Sequence, residues 1–79
     1  MIEFFIEVLE QLTPDMPNKP KTDLLVAIDM LKNFKDSLEY LLKVQDQLEY
    51  VSNLPNLDSY SRNEIMNVLS ELEFLIENY

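Results

Sequence analysis

Apolar residues recur along this chain every three or four positions, the period of helices that bury one face. Ile2, Phe5, Ile6, Leu9 and Leu12 share a face and predict a first helix over about 2–13. Three prolines then fall within Pro14-Asp15-Met16-Pro17-Asn18-Lys19-Pro20. Each lacks an N–H and bars the helical region to the residue before it, so the stretch is expected to be a loop. A second helix follows over about 20–33, with Leu24, Ala27, Ile28, Leu31 and Phe34 as its stripe. Asn33 stands where a left-handed cap would end it. A third helix opens near Asp36, where Asp36-Ser37-Leu38-Glu39 has the spacing of a capping box. Leu38, Leu41, Leu42, Val44, Leu48 and Val51 line its expected inner side. Leu54-Pro55-Asn56-Leu57-Asp58 breaks the pattern. A second box, Ser61-Arg62-Asn63-Glu64, opens a fourth helix whose stripe is Ile65, Val68, Leu69, Leu72, Leu75, Ile76 and Tyr79.

The halves look alike. A shift of 39 lays Ile2, Phe5, Leu9 and Leu12 on Leu41, Val44, Leu48 and Val51. A shift of 41 lays Pro14, Met16 and Lys21 on Pro55, Leu57 and Arg62, and Leu24, Ile28 and Leu31 on Ile65, Leu69 and Leu72. Apolar register is easily matched between amphipathic helices; the proline–apolar–basic pattern is less so. The expected fold is all-α: an antiparallel four-helix unit, one domain over 1–79, made of similar hairpins at 1–34 and 36–79.

Composition removes chemistry. There is no Cys, His or Gly, so a disulfide, a Cys/His zinc site, a His-activated nucleophile and a glycine phosphate loop are all excluded. Six basic residues against fifteen acidic give a net charge of −9, the wrong sign for a nucleic-acid backbone. No apolar run approaches the roughly 18 residues of a membrane span, and the acidic opening lacks a signal peptide's basic start. A soluble, cytoplasmic protein without cofactor or direct nucleic-acid partner is expected. A chain this short buries only roughly 60% of its unfolded surface, so self-association is expected to add stability.

The stretch Leu48-Glu49-Tyr50-Val51-Ser52-Asn53-Leu54-Pro55-Asn56-Leu57, then Ser61-Arg62, then Ile65-Met66-Asn67-Val68-Leu69-Ser70-Glu71-Leu72-Glu73, resembles the archaeal uncharacterised protein family 0147. The resemblance spans about 45–73 and is fainter over 6–31, where Met16-Pro17 and Lys21 match. Leu54, Asp58, Tyr60 and Met66 depart from the family pattern, and the link between hairpins is shorter. The resemblance implies an all-helical fold and an archaeal cytosol; it brings no activity.

Three surfaces stand out. The 1–2 and 3–4 loops should share one end of the unit, with Lys19, Lys21 and Arg62 at helix N-termini. Cations there oppose the helix dipole, so they are candidate partner-binding residues for an anion or carboxylate. Local neutralisation by Asp15, Asp23, Asp58 and Glu64 is the plainer reading. Leu25, Val26 and Met30 lie off the second helix's stripe, as do Phe4 and Phe74 on the first and fourth; these five are the expected homodimer interface, against a wider core with tolerated exposure. Glu3, Glu7 and Glu10, and Glu73 with Glu77, line helical faces but without the His a di-metal bundle uses, and read as solvated. Residues 44–79 carry a net −6, which suggests an acidic surface for a basic partner or plain solubility. The expected function is a non-enzymatic interaction or scaffold module. The alternative is an acidic inhibitor that mimics nucleic acid on a basic protein.

Overall fold

Four helices form where the apolar period places them: α1 (Ile2–Leu12), α2 (Asn18–Lys32), α3 (Leu38–Ser52) and α4 (Ser59–Glu77). The computed structural model describes residues 1–79 and contains no strand. Each helix packs on its sequence neighbours and α1 meets α4, while the backbones of the diagonal pairs stay apart. Side-chain hydrogen bonds pin the antiparallel sense. The Gln47 amide donates to the Asp23 carbonyl (2.9 Å) and the Tyr40 hydroxyl to that of Met30 (2.6 Å), tying α3 to α2. The Tyr79 hydroxyl donates to the Asp36 carbonyl (2.8 Å), which brings the end of α4 to the start of α3. The result is an antiparallel four-helix unit of 33 × 20 × 18 Å.

Seventeen apolar residues form one core. Phe5, Leu9 and Leu12 of α1 meet Leu24, Ala27, Ile28 and Leu31 of α2, Leu41, Val44, Leu48 and Val51 of α3, and Ile65, Val68 and Leu72 of α4. Burial follows one register in both hairpins. Pro20, Leu24, Ala27 and Leu31 are buried, and so are Ser61, Ile65, Val68 and Leu72, each 41 residues on. Thr13 Oγ1 donates to the Glu10 carbonyl (2.9 Å), and Ser52 Oγ, 39 residues on, to that of Glu49 (2.8 Å). Met16, Leu54 and Leu57 of the connections close the core from below.

The helix ends differ from the sequence expectation. The first helix stops at Leu12 and tightens into a 3-10 turn over Thr13–Asp15. The supposed loop is partly helical, because Pro20 sits in the first turn of α2, where its missing N–H has no partner to lose. Ser37, not Asp36, caps α3, accepting from the Tyr40 N–H at 3.1 Å. Asp58, not Ser61, caps α4, accepting from the Ser61 N–H at 3.1 Å, and Ser61 is buried inside the helix. Asn33 is not left-handed (φ −103°), and no residue has positive φ. Leu38 and Leu42, expected inside α3, are each 41% exposed because they lie toward α4's outer edge rather than the ring centre.

Candidate functional site

The loop end is built by the N-termini of α2 and α4. A groove of about 440 Å³ opens there, lined by Gln11, Asp15, Pro17, Asn56, Asp58 and Tyr60 among others. Its charged lining is acidic, and none of Lys19, Lys21 and Arg62 enters it. The α4 N-terminus already holds a carboxylate: Ser61, through its hydroxyl and its N–H, keeps Asp58 below the usual carboxylate range. In α2, Pro20 removes one N-terminal donor outright.

The three cations have separate local partners. Arg62 is half-buried; its Nε donates to the Ser52 carbonyl (2.9 Å) and its Nη2 to that of Leu54 (3.0 Å). It therefore fastens the start of α4 to the end of α3. Lys19 Nζ lies 2.9 Å from Asp23 Oδ2 and 5.5 Å from the centre of the Tyr50 ring. Asp23 first, then Tyr50, raises its pKa. That Asp23 oxygen is shielded from water, and the ammonium faces it as a charge partner without hydrogen-bond alignment. Lys21 is half-buried and forms no ion pair. The structure thus places the three cations at one end of the bundle without converging them on an anion.

The five proposed interface residues are also divided. Phe4 (58% exposed) and Phe74 (60%) stand outside the core on α1 and α4, which pack against each other. Phe4 lies two turns from Gln11 on one face of α1, and Gln11 shares the loop-end groove with Tyr60 of α4. Val26 and Met30 lie on the opposite side, at the α2–α3 seam. They share a stripe with Asp23, and Met30 is half-buried under Tyr40. Leu25 points a quarter-turn away, toward α1. One flat contact cannot cover all five.

Two features went unnoticed in the sequence. An apolar groove of about 390 Å³ opens at the other end of the bundle, among Met1, Ile2, Phe34, Leu41, Leu75 and Tyr79. Partial desolvation, then the neighbouring Asp36, raises the Tyr79 pKa. The outer α3–α4 seam exposes Leu38, Leu42 and Met66. Sequence period alone had turned Leu38 and Leu42 inward; the signal for exposure was their i, i+4 spacing on the flank of the Leu41–Val44–Leu48 line.

The candidate carboxylates Glu3, Glu7, Glu10, Glu73 and Glu77 are all exposed, and Glu10 pairs with Lys32 at 2.9 Å. No helix is long and apolar enough to cross a membrane. Fold and surface together define a class: an antiparallel four-helix bundle whose notable surfaces are exposed apolar seams. No family model, curated protein or solved structure matches the chain.

Proposed function

We propose that this protein is a non-enzymatic interaction module of the cytoplasm that works as a homodimer. The observation that carries the reading is the surplus of exposed large apolar side chains, eleven on a 79-residue chain. Single exposed apolar groups are ordinary, but contiguous ones cost solubility unless a partner covers them. The side of α1 and α4 that carries Phe4 and Phe74, both more than half exposed, is the self-association face in this reading. Kinship with the archaeal family 0147 is part of the proposal and rests on the 45–73 stretch.

Sedimentation equilibrium should show a dimer at micromolar concentration. Phe4→Glu should return it to monomer while circular dichroism stays helical. A wild-type chain that is monomeric at millimolar concentration would remove the dimer. A second reading, an acidic inhibitor that mimics nucleic acid, is favoured by the net −6 of residues 44–79, whose single cation is Arg62. It predicts capture of a basic protein that DNA competes away.

A further inference from the structure

We propose that the outer seam between α3 and α4 receives a basic amphipathic helix of a protein partner. The inference deepens the interaction-module reading and rests on it.

The register of the two helices is fixed at both ends, by Tyr79 on Asp36 and by Arg62 on Ser52 and Leu54. Between those ties, Leu38, Leu42 and Glu49 run along the α4-facing edge of α3 at i, i+4 and i+11. Met66, Leu69 and Glu73 run along the facing edge of α4 at i, i+3 and i+7. Leu38, Leu42 and Met66 are exposed by 41%, 41% and 51%, and Leu69 and Ile76 lie half-buried beneath them on the core. The edge from Leu38 to Glu49 is about 16 Å long at 1.5 Å per residue, room for three turns of an incoming helix.

The charge of this seam selects the occupant. Asp46, Glu49, Glu73 and Glu77 border it, all exposed and none in an ion pair. The two nearby cations are engaged: Lys43 faces Glu39 at 4.0 Å and Arg62 holds the Ser52 and Leu54 carbonyls. A second copy laid on this seam by a two-fold axis would set carboxylates against carboxylates. A helix with apolar residues at i, i+3, i+4 and i+7 and Lys or Arg on both flanks satisfies floor and rim together.

The test uses the full chain and a Leu/Lys peptide about five helical turns long with that spacing. Its companions are a scrambled peptide of equal composition and a Leu/Glu version. The amphipathic basic peptide should bind about tenfold or more tighter than either, and more weakly as salt rises. Methyl shifts should centre on Leu42, Met66 and Leu69. Leu42→Lys and Met66→Lys should each weaken binding about tenfold, while Leu25→Lys, on the α1–α2 side, should not. If a lysine variant loses helicity, Leu42→Ala and Met66→Gln are read instead, with the same order expected. Equal binding of the scrambled peptide overturns the inference, as does equal damage from Leu25→Lys. If no peptide binds while the chain dimerises through Phe4, this inference falls and the module reading stands. If no peptide binds and the chain is monomeric, both fall.

Discussion

Arg62 is a cation in the first turn of a helix, where the macrodipole disfavours positive charge. At the scale of one residue the conflict is resolved by reach. Its guanidinium extends to the Ser52 and Leu54 carbonyls at the end of α3, where a cation is favoured. The broken rule that pointed to an anion site in the sequence is thus compensated by the neighbouring helix, which no local pattern reveals. Hydrogen bonds from a charged group contribute about 1.5–3 kcal/mol. Arg62→Ala should therefore lower unfolding free energy by about 2 kcal/mol in urea titration. Arg62→Lys should recover less than half of the loss, because an ammonium cannot fork to two carbonyls. Full rescue by Lys would mean that charge alone matters there. Lys21, the counterpart 41 positions earlier, has no such bonds, so the hairpins share a register of burial without sharing this clasp.

At the scale of elements, the chain ends its helices without glycine. α2, α3 and α4 each stop at an asparagine, Asn33, Asn53 and Asn78. In each, Nδ2 donates to the carbonyl four residues back, Asp29, Glu49 or Phe74, at 2.8–2.9 Å. Each of these carbonyls also accepts the asparagine's own backbone N–H, so the side chain adds a second bond that closes the last turn without a left-handed residue. Those asparagines were visible in the sequence; the device was not, because Asn suits both a left-handed turn and this capping bond. The helices themselves were legible because Leu24, Ile28 and Leu31, or Ile65, Val68 and Leu72, admit one helical face. The N-caps were misplaced because Asp36 and Ser37, or Asp58 and Ser61, are all competent acceptors, and the tertiary register decides among them. The surfaces were least legible: helical spacing says that Val26 and Phe74 leave the stripe, but only the ring order of helices shows that they leave it on opposite sides. Asp58 gives this scale its prediction. Its carboxyl is held below the ordinary value, so its contribution is present above the carboxylate range and lost as pH falls through it. Asp58→Ala should lower Tm at pH 7, and the gap from wild type should narrow toward about pH 3. A gap constant over that interval would assign the effect to shape rather than to the charged cap.

The whole molecule holds a net −9 within 33 × 20 × 18 Å. Only three ion pairs offset it, Lys19–Asp23, Lys32–Glu10 and Lys43–Glu39, and at least one partner in each is more than half exposed. Exposed pairs contribute little, about 0–1 kcal/mol each. Repulsion among the uncompensated carboxylates acts over longer distances and grows when the chain is compact. At 0.01 M ionic strength the Debye length, about 30 Å, spans the molecule, so every carboxylate feels the others. At 0.1 M it shrinks to about 10 Å, less than the width of the bundle, and most of that repulsion is screened. Sodium chloride should therefore raise Tm, with most of the gain complete by about 0.1 M and little beyond. The weakening of the three pairs works in the opposite direction but is smaller. A Tm that falls over the same salt series would reverse that ranking and make the ion pairs, rather than the self-repulsion, the dominant electrostatic contribution to this fold. The balance also bears on binding, since whatever salt adds to stability it must subtract from the attraction between the acidic α3–α4 seam and a basic helix. The two measurements should move in opposite directions on the same protein.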